Sequence, residues 1–231
     1  NVLRGCAIAE TLKVPRFRAM GLDALGYLYL DLNLLDRAME AFSKGIELSV
    51  QAKLNFWRSR LQANLAIARL RAGRLDVQVE LDAALELAQR GNANFHAVRC
   101  LEGLAELALA RRQPAQAIAQ ANSLLAMAEH GGQRENTARA HYWRGEALRV
   151  MSDLHKAESD LLKALTIAES IQRVRLVCDV HRSLAQLYQS RGEHKRVVQH
   201  AAEARAIVTQ IESGIADAAL RAGLAQLRSA A

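Results

Sequence analysis

Leu22-Asp23-Ala24-Leu25-Gly26-Tyr27-Leu28-Tyr29 and, after a turn at Asn33, Ala38-Met39-Glu40-Ala41-Phe42-Ser43-Lys44-Gly45 decide the fold of this chain. The first segment sets small Gly26 among large apolar residues, three places before Tyr29. The second sets Ala38, Phe42 and Gly45 at four-three spacing, which is one stripe of a helix. Read outward, both recur. Ala66, Ala105, Gly145 and Ala185 follow Gly26 at intervals of 40, 39, 40 and 40 residues. Three residues beyond them stand Arg69, Ala108, Leu148 and Tyr188. Turns follow at Gly73, Ser152 and Gly192, and at Arg112-Gln113-Pro114, where Pro114 suits the first turn of a helix. The second stripe returns as Ala117, Ala121 and Leu124, as Ala157, Leu161 and Ala164, and as Val197, Ala201 and Ala204. In the second unit it is Val77, Leu81 and Ala84, after a turn expected to be one residue shorter.

Each unit therefore predicts a helical hairpin that is apolar on both sides, and such hairpins must stack to bury both faces. Small residues admit close helix approach while larger ones fill the grooves between. The expected units are residues 16–52, 53–91, 92–131, 132–171 and 172–212. Residues 1–14 read as the remnant of a preceding repeat, stopped before Pro15, so the chain reads as a fragment of a longer polypeptide. Residues 213–231 read as a capping helix, with Ile215, Ala219 and Ala222 covering the last hairpin. Leu220, Leu224 and Leu227 then form a stripe that a homodimer contact or a further domain would bury.

The pattern resembles the tetratricopeptide repeat family over roughly residues 16–212. Leu22, Leu25, Gly26, Tyr29, Ala38 and Phe42 fall where that family places its large and small residues. The period near 40 instead of 34 resembles the repeats of bacterial regulatory ATPases, transcriptional activators and nucleotide cyclases. The resemblance implies an all-α, right-handed superhelical solenoid of stacked helical hairpins. It also implies a non-catalytic interaction or regulatory scaffold within a larger bacterial signalling or transcription protein. Such a scaffold holds a peptide, helix or domain in its concave groove. A small-ligand sensor and a structural dimerisation module are the alternatives. The family's carboxylate clamp transfers poorly, since Asp23, Tyr27 and Gly103 stand where three of its polar residues belong.

Composition agrees. The 231 residues are 51% hydrophobic, 24% charged and 4% aromatic, with two prolines, which excludes a disordered or low-complexity chain. No apolar run reaches the length of a membrane span, and Cys6, Cys100 and Cys178 are too dispersed for a disulfide framework. A cytoplasmic protein is the expectation. His96, His130, His141, His155, His181, His194 and His200 occur without metal-ligand spacing. No phosphate loop or nucleophile motif accompanies them, so no cofactor, metal or catalysis is expected. His141 and His181, 40 residues apart, read as packed imidazoles on successive hairpins.

The net charge is +7, concentrated between Lys53 and Arg74, a stretch without an acidic residue. A basic helix beside Phe56 and Trp57 suggests nucleic acid, but the other units are nearly balanced and no groove-reading motif appears. A protein or peptide partner, acidic or amphipathic, fits better. The register turns Arg60, Asn64, Ile67 and Arg71 toward the groove, with Arg99 and Arg139 in the place of Arg60 on the next two units. Tyr142, Trp143, Glu146 and Arg149 add aromatic surface. If the arginines instead pair with Glu102, Glu106 and Glu146, they only keep that surface soluble.

Overall fold

A computed structural model describes residues 2–91 and 93–224. The described residues are helical, in the order α1 (Val2–Thr11), α2 (Pro15–Asp31), α3 (Leu35–Gln51), α4 (Asn55–Arg71), α5 (Gln78–Arg90), α6 (Asn94–Ala110), α7 (Pro114–His130), α8 (Arg134–Val150), α9 (Leu154–Ser170), α10 (Val174–Ser190), α11 (His194–Ser213) and α12 (Ala218–Arg221). The chain forms two compact units, Asn1–Leu107 and Ala108–Ala231. Among the described residues there is no strand.

One kind of joint links most of these helices. The helix runs one residue past its end, the next residue takes the left-handed conformation, and a third starts the following helix. Asn33 (φ 58°), Ser152 (φ 64°) and Gly192 (φ 73°) are such residues. Around Asn33, the Leu34 amide bonds the Tyr29 carbonyl at 2.8 Å and the Asn33 amide bonds that of Leu30 at 3.1 Å. This is the Schellman arrangement, which satisfies the last carbonyls of a helix. Lys53 (φ 55°) and Gln172 (φ 56°) take the same conformation, although neither residue type signals a turn.

The joint between α4 and α5 departs from this pattern: its buried stripe follows the turn one residue sooner, as expected, but the non-helical joint itself is longer. It occupies residues 72–77, and α5 has 13 residues where α3 has 17. Val77 keeps the register of Ala38 and is 1% exposed, but one residue fewer separates it from the preceding left-handed residue. Arg74 and Asp76 close it with a paired contact at 2.9–3.0 Å.

Packing follows the repeat. In the first unit, Phe42 on α3 is fully buried over Gly26 on α2, and Leu61 on α4 sits over Gly45. Leu81 on α5 and Ile67 on α4 close over Gly103 of α6. In the second unit, Leu161 on α9 fills the space left by Gly145 on α8. A cluster of Ala157, Leu161, Ala164, Val180, Leu184 and Leu187 continues the core into α10. At the chain's end, Leu224 is 1% exposed while Ala219 and Ala222 are exposed. The expected cap differs there in part: Ile215 and Leu220 are both half-buried, and Leu224 is buried in preference to the two alanines, since burying the larger side chain removes more apolar area from water. Leu227 lies outside the described residues.

Candidate functional site

The candidate residues of the first unit converge on one another. Asp23, on α2 and 5% exposed, accepts from Arg60 Nε and from Asn64 Nδ2, both at 2.7 Å. Asn64 Oδ1 accepts from Arg99 Nε at 2.6 Å, and Arg99 also donates to Glu102. The Arg99 guanidinium lies 5.1 Å from the Tyr27 ring centroid. A buried polar chain thus crosses α2, α4 and α6. Such ions are stable only when paired, and their exchange for apolar groups is often neutral or better. The chain joins three helices through side-chain bonds, from Asp23 on α2 through Asn64 on α4 to Arg99 on α6.

Arg71 makes two bonds to Glu106, at 2.8 and 3.1 Å. Ile67 differs from the sequence expectation: it is fully buried, and its side chain lies against Gly103, where a Cβ would come within 3.0 Å of it. It belongs to the core because Gly103 leaves room for it. Arg69 meets Glu80 at 2.6 Å. In the stretch from Lys53 to Arg74, four arginines are therefore paired with carboxylates from outside it, Asp23, Glu80, Glu106 and Asp76.

In the second unit, Tyr142 and Trp143 on α8 meet edge to face, with centroids 4.8 Å apart, and both are half-buried. On the same helix Arg149 grips Glu146 with two bonds of 2.9 Å, and Arg139 bonds Glu135 at 3.2 Å. Arg173 reaches the same Glu135 at 2.6 Å. Burial acts to raise the Glu135 pKa, but the two guanidiniums outweigh it and hold the carboxyl below its usual range. The aromatic pair is thus framed by ion pairs.

The two repeat-equivalent histidines are indeed packed. His141 Nδ1 lies 2.9 Å from Asp160, which also takes two bonds from Arg144 at 2.7 and 2.8 Å. Burial pushes the Asp160 carboxyl up, but the Arg144 and His141 bonds prevail and hold it at about 2. One repeat later, His181 lies 2.8 Å from His200, Nδ1 to Nδ1. Burial raises the Cys100 thiol to about 12 and raises that of Cys178, so both are inert at neutral pH. Among the described residues, no three His, Cys, Asp or Glu side chains are grouped to hold a metal. No described helix is long and apolar enough to cross a membrane.

Sequence reasoning singled out Arg60, Asn64 and Arg99 but did not pair them with Asp23. The available signal was opposite charge one repeat apart: Asp23 to Arg60 is 37 residues and Arg71 to Glu106 is 35.

Residues 22–49 and 138–171 match the family model of the tetratricopeptide repeat. These two segments are tetratricopeptide repeats. Its fold is similar to that in the crystal structure of BtubC (BKLC) from P. vanneervenii, with a TM-score of 0.61 and 19% identity over 85% of this chain and 84% of that one. It is also similar to the apo form of RapI, with a TM-score of 0.57 and 14% identity over 96% of this chain. The chain spans 63% of the length of RapI. At these identities the likeness concerns the fold alone. No curated protein matches in sequence.

Proposed function

We propose that this chain is a non-catalytic protein-interaction scaffold and that α8 presents its contact surface. Its tetratricopeptide repeats support the class of function, since these hairpins hold one another in register and leave helix faces to a partner. The single observation that favours α8 is the Tyr142–Trp143 pair, 4.8 Å between centroids and partly open to solvent. Flanking it are Glu135–Arg139 and Glu146–Arg149. A rigid aromatic anchor inside a charged rim is the make-up of an interaction hot spot. Arg60, Asn64 and Arg99 enter this reading as the framework of the first unit, because their polar atoms are engaged with Asp23 and Glu102.

The test compares proteins retained from a bacterial extract by the parent chain, by Trp143→Ala and by Val198→Ser, a change at an exposed position on α11. A protein held by the parent and by Val198→Ser but lost with Trp143→Ala, at unchanged helical content, is the expected result. An identical set of retained proteins for all three refutes the assignment of the surface.

A further inference from the structure

The first unit carries a second cluster, at the amino-terminal ends of α4 and α6. Phe56 and Phe95 each stand second in their helix and are 49% and 53% exposed. The rings have aromatic neighbours. Both lie against His96, with centroids at 4.0 and 5.8 Å, and Trp57 joins at 5.6 Å from Phe56 and 6.0 Å from His96. His96 is 1% exposed, and its Nδ1 lies 2.6 Å from the Phe56 carbonyl oxygen. That contact ties the first turn of α6 to the first turn of α4. Arg60 lies 5.9 Å from the Phe95 ring centroid. One repeat earlier, Phe17 in the first turn of α2 is 41% exposed.

The segments that carry these rings are cationic in sequence, with Asp23 reaching in to Arg60 and Glu10 to Arg18. Residues 11–22, 51–75 and 91–101 contain no aspartate or glutamate. Lys13, Arg16 and Lys53 are exposed there, and Arg58 Nε is shielded from water without a hydrogen-bond partner. Helices α2 and α4 also start without a side-chain cap and without an acidic residue in the first turn, so their amide dipoles add to the positive potential.

We propose that this aromatic, cationic edge docks an acidic protein segment bearing apolar side chains. Half-exposed rings with aromatic neighbours anchor a partner at small entropic cost, and the surrounding cations select negative charge. Packed helices lie about 8–10 Å apart, which a polyproline II-like chain covers in one turn of three residues at about 3.1 Å each, bringing every third side chain to the same face. An apolar residue at every third position, with carboxylates between, therefore matches the step from α4 to α6. A nucleic-acid strand fits less well. It needs a cation track along its phosphates, and Arg60, Arg69 and Arg71 turn instead to Asp23, Glu80 and Glu106.

The test is fluorescence anisotropy on the whole chain with a labelled peptide of four Asp-Glu-Phe triplets. Matched Asp-Glu-Ser and Lys-Lys-Phe peptides and a twelve-nucleotide oligothymidylate serve as rivals. The Asp-Glu-Phe peptide is expected to bind at least tenfold more tightly than each rival. Phe56→Ala combined with Phe95→Ala is expected to weaken it at least tenfold, and Lys53→Glu at least threefold. Lys53 sits exposed in a turn, so its variant keeps the fold and decides the matter if the double variant does not. Trp143→Ala is expected to leave binding unchanged, which separates this edge from the α8 surface. Failure of the Asp-Glu-Phe peptide to bind, equal binding of Asp-Glu-Ser, tighter binding of the oligonucleotide, or loss with Trp143→Ala would each overturn the proposal.

Discussion

Replacing Gly26 by alanine tests the packing of the first unit at its tightest point. A Cβ at Gly26 would stand 2.4, 2.6 and 2.8 Å from Cε1, Cδ1 and Cζ of Phe42, where carbon atoms rest at about 3.5–4.0 Å. Phe42 is fully buried, so its ring has no solvent to swing into, and α2 and α3 must part by roughly 1 Å. Overpacking of this kind costs about 1–3 kcal/mol, against a helix-propensity gain of about 1 kcal/mol for Gly→Ala. Gly5 on α1 supplies the control, since a Cβ there meets nothing within 4 Å. Gly5→Ala keeps the propensity gain alone, so the two variants should differ by the crowding cost, about 1–3 kcal/mol. Phe42→Leu should cost less in the Gly26→Ala background than in the parent, a coupling of about 0.5–3 kcal/mol. Urea unfolding followed by circular dichroism reads the stabilities. Hydrogen exchange of the α2 and α3 amides assigns the loss to this hairpin, because repeat arrays need not unfold in one step. Gly26→Ala as stable as Gly5→Ala, or strict additivity with Phe42→Leu, would mean that Phe42 does not sit over Gly26.

Acid should loosen the molecule from the histidines first. Burial, reinforced by the Arg60 charge, lowers the His96 pKa from 6.5 to about 4, so the unfolded chain takes the proton first. The stability this contributes is complete above about pH 6.5 and is lost as the pH falls to about 4, in total about 3 kcal/mol. His181 and His200 are lowered by burial and act in the same direction. Stability measured from pH 8 to 4 should fall, and His96→Gln should flatten part of that fall; a level profile refutes it. Asp23→Ala should cost about 1–3 kcal/mol, because it leaves the buried Asn64 amide without its acceptor and the half-buried Arg60 without its carboxylate. Asp76→Ala, which removes only an exposed pair, should cost less than about 1 kcal/mol. Equal losses from these two in urea titrations would refute the structural role of the polar chain.

The hairpin repeat was legible because close packing demands a small residue at one place in each unit, and Gly26 and Gly145 answer that demand visibly. Turns were legible where the left-handed residue is glycine, asparagine or serine. They were silent at Lys53 and Gln172, where the joint's hydrogen bonds impose a conformation that the side chain does not favour. The candidate site was half legible. Periodicity gathered Arg60, Asn64 and Arg99 on one face, but Asp23, the acceptor of Arg60 and Asn64, lies on another hairpin, beyond any single-helix pattern. Ile67 was misplaced for a related reason: its neighbour is Gly103, and the space above a glycine is a property of two helices together.

The uniform joint bears on how such a chain can change length over evolutionary time. The same three-residue link closes α2 onto α3 and α3 onto α4, so a cut at one link leaves an end that fits the start of any equivalent helix. A gene duplication copying one 40-residue period between two links recreates a complete joint at both seams, and no new turn has to arise. Lengthening or shortening the array is then a single genetic step, whereas altering one period internally, as between α4 and α5, requires the backbone to find a new path.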